Sequence, residues 1–217
     1  MRDVAKVCEP LCVIVSDSAL SNWQASQKNV DFDTIVISDK LFTTISDTHT
    51  PQGVIGIFPI PELTPVRPAP MLTVVVDAIQ DPGNLGTIIR SAAANGASQV
   101  LYTAGTVDPY NPKVVRAAAG SILLIPVRCT DDLIADLEGA AVYIADGASG
   151  VPVDQANWTA PSAVVIGSES HGHGGATLQL SATRVTIPMT NQVESLNAGV
   201  AASIILYEAF RQRRRRD

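Results

Sequence analysis

Three polar stretches carry side chains able to bind or activate an oxygen nucleophile. The first runs from Asp77 through Asp81, Pro82, Gly83, Asn84 and Gly86 to Arg90. Pro82, Gly83 and Gly86 suit a tight turn, and Asn84 suits the N-cap of a following helix. Arg90 falls about one and two-thirds helical turns beyond Asn84, among Ile88, Ile89, Ala92 and Ala93. An arginine so placed pairs with a buried carboxylate or faces a phosphate. The second stretch, from Gly167 to Gly175, holds Glu169 and further glycines at 172 and 174. Glycines at this density suit close approach of backbone to a ligand, or a mobile surface loop. The third runs from Ile187, Pro188 and Met189 to Ser195, Leu196 and Asn197. Ser195 and Asn197 are suited to capping a helix that starts there.

The common alternatives lack their signatures. No G-x-G-x-x-G follows the first strand of the main domain, so an ordinary dinucleotide oxidoreductase has no phosphate loop. There is no G-x-x-x-x-G-K-[ST] and no G-x-S-x-G nucleophile elbow. His171 and His173 form an H-x-H pair without a carboxylate–histidine set beside it, so no metal is expected. Cys8, Cys12 and Cys129 are too few and odd in number for a disulfide framework. They read as packing thiols in a reducing cytoplasm.

The elements that must hold these loops alternate in type. Strands are expected at 72–76, 99–102, 123–127, 142–145, 164–166 and 185–187, and helices at 84–95, near 113–119, at 131–137 and at 197–211. Doubly buried strands alternating with helices predict an α/β domain with a mostly parallel sheet. The three polar stretches then follow strand ends, where such sheets bind ligands. Upstream, residues 59–70 contain five prolines and read as an extended linker. Residues 1–58 form a smaller piece, with buried strands expected at 11–16, 34–37 and 54–58. A helix is expected there at 39–46, with Leu41, Phe42 and Ile45 on one face.

Of 217 residues, 46% are hydrophobic and 17% charged, which excludes a disordered chain. No apolar run reaches the ~18 residues of a membrane span, and Glu9 and Pro10 interrupt the N-terminal one. The net charge is −6, but residues 211–217 carry +4 and residues 1–210 carry −10. That balance argues against a broad nucleic-acid-binding surface and leaves room for a local basic patch. The terminal Arg run is either a phosphate-binding tail or a solvated end.

Taken together and in this order, the three stretches closely resemble the SpoU/TrmH branch of the SPOUT methyltransferases. D-P-x-N-x-G-x-x-x-R is matched by Asp81 to Arg90, and G-x-E-x-x-G by Gly167, Glu169 and Gly172. I-P-M followed by S-L-N is matched by Ile187–Met189 and Ser195–Asn197, and the resemblance covers residues 72–211. Residues 37–58 resemble the end of the ribosomal-protein-like RNA-binding domain that precedes the catalytic domain in many members.

The resemblance implies methylation of ribose 2′-hydroxyls in structured RNA with S-adenosylmethionine as cofactor. It implies ribosomal RNA as substrate, with tRNA or a non-catalytic RNA-binding role as alternatives. It implies a parallel α/β sheet with a C-terminal trefoil knot, a homodimer, and a partial RNA-binding domain at 1–58 ahead of a methyltransferase domain at 71–217. Carried onto this chain, the cofactor contacts are Gly167, Ile187, Leu196, Met189, Gly147 and Thr103. The catalytic set is Arg90, Asn84, Glu169, Ser195 and Asn197.

Overall fold

The computed structural model describes residues 8–26, 33–48, 50–63, 71–167, 175–190 and 195–214. The chain divides into two compact units, Met1–Pro61 and Glu62–Asp217, and the division falls inside the proline-rich stretch.

The first unit contains β1 (Cys12–Ser16), α1 (Leu20–Ser26), β2 (Thr34–Ile37), α2 (Asp39–Ile45) and β3 (Val54–Ile57). Strand β1 is central, parallel to β2 and antiparallel to β3. Val13, Val15 and Phe42 are the buried hydrophobics among its described residues, a thin core. The expectation of a buried strand at 34–37 is corrected, since Ile35 is 50% exposed. The reason is its edge position, with β1 as its one partner. On α2 only Phe42 of the expected apolar face is buried, and Leu41 and Ile45 stay exposed.

The second unit contains β4 (Leu72–Asp77), α3 (Pro82–Ala94), β5 (Gln99–Tyr102), α4 (Pro112–Ala118), β6 (Val127–Cys129), α5 (Leu133–Asp136) and β7 (Ala141–Ala145). It continues with β8 (Val151–Pro152), β9 (Ser162–Gly167), α6 (Gly175–Leu178), β10 (Thr183–Thr186) and α7 (Ala198–Arg214). Seven strands form one sheet in the order β6-β5-β4-β9-β7-β10-β8, and every pairing is parallel. The two central strands carry the apolar runs: β4 is buried throughout, and β9 is buried up to its last residue. Covered on both faces, they have no use for polar alternation.

The strand expected at 123–127 is displaced. Ser121–Leu123 form a 3-10 turn that starts at Gly120 in the left-handed region, and the strand begins at Val127. Ile122, Leu123 and Ile125 are nonetheless buried. Pro126 lacks an N–H for a ladder, so pairing starts after it. Cys129, expected as a packing thiol, is exposed because β6 is an edge strand.

Helix α3 lies against both α4 and α7. Gly86 permits the first contact. A Cβ there would sit 2.4 Å from the Ala117 Cβ and 2.8 Å from the Val114 carbonyl oxygen. Its role is therefore close helix packing rather than the turn expected of it. Asn84 is corrected likewise. The N-cap of α3 is Asp81, whose carboxylate accepts from the Asn84 amide at 2.7 Å.

Candidate functional site

Parallel strands β4, β9 and β7 end together at Asp77, Gly167 and Ala145. Beyond them, a cavity of about 370 Å3 opens toward the start of α7. Gly147, Gly167, Ile187, Met189 and Leu196 line it, together with Ser195. Ile166, Val185, Ala198 and Ile205 complete a largely apolar wall. A mostly apolar cleft edged by backbone at glycines suits a flat, neutral base held by main-chain groups. Thr103 lies outside the lining. Its hydroxyl donates to Asp77 Oδ1 at 2.8 Å and accepts from the Ala78 amide at 3.2 Å, tying β4 to β5. Ala78 has φ 53, an uncommon value for a residue with a side chain, where the chain leaves β4 for α3.

Asn197 caps α7, its Oδ1 accepting from the amides of Gly199 at 3.0 Å and Val200 at 3.2 Å. Its Nδ2 donates to Asn84 Oδ1 at 2.8 Å. One side chain thus joins the start of α7 to the first turn of α3. Arg90 lies farther along α3 with an exposed side chain, and among the described residues nothing is hydrogen-bonded or ion-paired to it. The ion-pair reading of Arg90 therefore has no described partner. Glu169, His171 and His173 lie outside the described residues. Among the described residues no cluster of three or more His, Cys, Asp or Glu side chains is placed to hold a metal.

The cavity also has an ionic wall that the sequence reading missed. Asp146 follows β7, and its Oδ1 accepts from the Ala148 amide at 2.8 Å and the Ser149 amide at 3.1 Å. Arg184 of β10 donates to Oδ2. The Ala148 hydrogen bond most of all, then the Arg184 and Ser149 bonds, hold the Asp146 carboxyl below the usual carboxylate range against an opposing push from burial. Gly150 completes the turn. With φ 147, it comes so close to β10 that a Cβ would meet the Arg184 carbonyl oxygen at 2.6 Å. Asp146 was findable as the first polar residue after a buried strand. Arg184 carried no such signal, because its partner is 38 positions away.

The SpoU rRNA methylase family matches the chain over residues 71–207. The chain belongs to that family. An uncharacterized tRNA/rRNA methyltransferase of Synechocystis is 37% identical over 183 residues, covering 82% of this chain and 67% of the relative. The 23S rRNA (guanosine(2553)-2′-O)-methyltransferase RlmP of Bacillus subtilis is 35% identical, covering 79% of this chain and 70% of that protein. The SpoU methyltransferase AviRb from Streptomyces viridochromogenes, solved with the cofactor AdoMet, superposes with a TM-score of 0.80. It is 28% identical, and the match covers 99% of this chain and 88% of AviRb. Membership of the SpoU family makes the chain an S-adenosylmethionine-dependent RNA methyltransferase, the class its three loops resemble.

Proposed function

We propose that this SpoU-family chain methylates a ribose 2′-hydroxyl of ribosomal RNA, in preference to tRNA, as a homodimer in the cytoplasm. The observation that carries the reading is the cavity at the strand ends, with the open Arg90 on the helix that Asn84 and Asn197 join to it. Ribosomal RNA is favoured by the activity named for RlmP, 35% identical to this chain.

Gly147, Gly167, Ile187 and Leu196 would hold S-adenosylmethionine through their backbone, with Met189 packed against it. Bound there, the cofactor supplies an electrophilic methyl group on a sulfonium whose charge is lost on transfer. The chain's own task is to place the ribose hydroxyl in line and help remove its proton. Arg90 serves as a donor rather than a base, because a guanidinium offers five N–H donors and no acceptor. Its planar fork instead grips the adjacent phosphate and stabilises charge growing on the ribose oxygen. Glu169 orients Arg90 or accepts the proton. Asn197 spends its amide on α7 and Asn84, so it positions, while the Asn84 Nδ2 remains for the nucleotide. Ser195, exposed at the cavity wall, faces the same nucleotide.

The dimer reading is supported by α7, where Val200, Ile204 and Tyr207 lie on one exposed stripe. The knot reading rests on the family alone. Residues 1–58 are read as the partial RNA-binding domain, and the sparse cysteines suit a reducing compartment. The test is mapping of ribose methylation in cellular RNA with and without the gene, together with transfer of labelled methyl to purified ribosomal RNA and tRNA. One ribosomal position that loses its methyl group is expected. A lost methyl in tRNA alone overturns the ribosomal assignment.

A further inference from the structure

The first unit has a cavity of its own, about 350 Å3, beyond the ends of the parallel strands β1 and β2. Ser18, Asn22, Asp39 and Gln52 supply polar groups around it, and the partly exposed Ala19 and Pro51 supply an apolar side over the buried Phe42. Gly53 keeps it open. Its φ of +75 and a would-be Cβ only 2.7 Å from Ser16 Oγ exclude any side chain there. Ser18 binds Asp39 Oδ1 twice, through its amide at 3.2 Å and its hydroxyl at 2.8 Å. Both bonds fall on one oxygen and orient the carboxylate, whose exposed side chain can still accept from a donor brought by a ligand.

The chemistry of the lining selects the ligand. It holds a carboxylate and no lysine or arginine, so a phosphate would be repelled. A single carboxylate is too little for a metal ion, which takes several charged or polar ligands. What fits is a planar group with an apolar face and a hydrogen-bond donor at its edge. RNA-binding proteins take up such groups as unpaired bases, stacked on an apolar side chain and bonded along the edge. A carboxylate accepts from the exocyclic amine of cytosine, whereas uracil presents a carbonyl at that position.

We propose that this cavity binds an unpaired, amine-bearing nucleobase of the RNA substrate, cytosine above uracil. The inference rests on the reading of RNA as substrate and assigns the first unit a base-selecting role rather than phosphate contact.

The test uses the full-length chain and labelled ten-nucleotide RNAs of cytidine alone or uridine alone, with fluorescence anisotropy at several salt concentrations. The wild type is expected to bind the cytidine oligomer about tenfold more tightly, one charge-assisted hydrogen bond's worth. Asp39→Asn is expected to remove that preference and leave the salt slope unchanged, since no phosphate contact is lost. The sign is diagnostic, because removing a negative charge strengthens non-specific RNA binding. Asn22→Ala, on the exposed side of α1, is expected to weaken the preference several-fold, and it decides the matter if Asp39→Asn fails to fold. Equal wild-type affinity for the two oligomers overturns the proposal, as does a preference that both variants keep. Methyl transfer to ribosomal RNA, measured separately on the same wild-type protein, keeps its result in either case. Loss of that transfer counts against the RNA reading itself.

Discussion

Among the guanidiniums of the second unit, Arg128 is paired to Asp136, Arg184 to Asp146 and Arg211 to Glu208, and Arg213 is bound to backbone carbonyls. Arg90, like Arg214 at the end of α7, has no described partner, which leaves its fork open to a ligand. Arg90→Ala is expected to lower methyl transfer at least ~100-fold, the scale of one lost electrostatic donor in a transition state. Cofactor affinity, read by calorimetry, is expected to stay within about twofold, since Arg90 does not line the cavity. Arg90→Lys is expected to fail as well, because an ammonium has no planar fork. Activity within a few-fold of wild type would remove Arg90 from the mechanism. Asp146 lines the cavity proposed to hold the cofactor. Its folded pKa lies below the ordinary carboxylate value, so its contribution to fold and pocket is complete above that value. The contribution is lost as the pH falls through the depressed folded value. Cofactor affinity is therefore expected to hold from neutral pH down to about 5 and to fall in stronger acid. Asp146→Asn is expected to bind more weakly at neutral pH and to lose part of the acid dependence. An unaltered affinity and pH profile would mean that the Ala148–Ser149 turn holds without the charge.

At the scale of elements, the short contact at Gly86 sets how closely α3 can lie on α4. Gly86→Ala is expected to destabilise the second unit by about 1–3 kcal/mol, the usual cost of overpacking. Urea unfolding reads it, and a stabilised variant would show that α4 moves aside freely. Legibility in the sequence followed the strength of local signals. β5 has the bounds its apolar run predicts, β4 extends one residue beyond its run, and β9 two residues before and one after, because a fully buried parallel strand leaves a continuous apolar run. Residues 123–127 carry the same kind of run but are broken by Pro126, and an apolar run reads alike as a strand or a buried turn. Helix α1, β8 and the four-residue α6 were not anticipated, since their short or polar stretches hold little periodicity. Gly147, Gly167, Ile187 and Leu196 line the cavity at the strand ends, and it was the family resemblance of the loops, not their composition, that singled them out. The Asp146–Arg184 wall was not legible, because β7 and β10 become neighbours only in the folded sheet.

At the scale of the molecule, the proposed dimer predicts that Ile204→Glu together with Tyr207→Glu shifts sedimentation from dimer to monomer, by burying charge in the stripe. Retained dimers would move the interface elsewhere. The C-terminal arginines require a different test from simple removal, because they do not act as one tail. Helix α7 continues through Arg214, so the run is partly structured. Arg213 donates to the carbonyls of Trp158 at 2.7 Å, Ala160 at 3.1 Å and Met71 at 3.2 Å, and to Ser162 Oγ at 2.9 Å. It thereby fastens the end of α7 to the starts of β4 and β9. Gln212 adds bonds to the Trp158 amide at 3.1 Å and the Ala156 carbonyl at 3.1 Å. Two truncations separate anchor from tail. A chain ending at Arg214 keeps every one of these bonds and loses the cations Arg215 and Arg216, which lie outside the described residues. Its melting temperature is expected to match the full chain, while the slope of log RNA affinity against log salt flattens by up to ~2 units if both arginines meet phosphates. A chain ending at Gln212 also strands the carbonyls that Arg213 serves, and it is expected to lose about 2–4 kcal/mol of stability. Equal melting temperatures for the two truncations would show that Arg213 anchors nothing. An unchanged salt slope in the longer one would make the last arginines a solvated end, leaving RNA attraction to Arg90 and cations elsewhere in the chain.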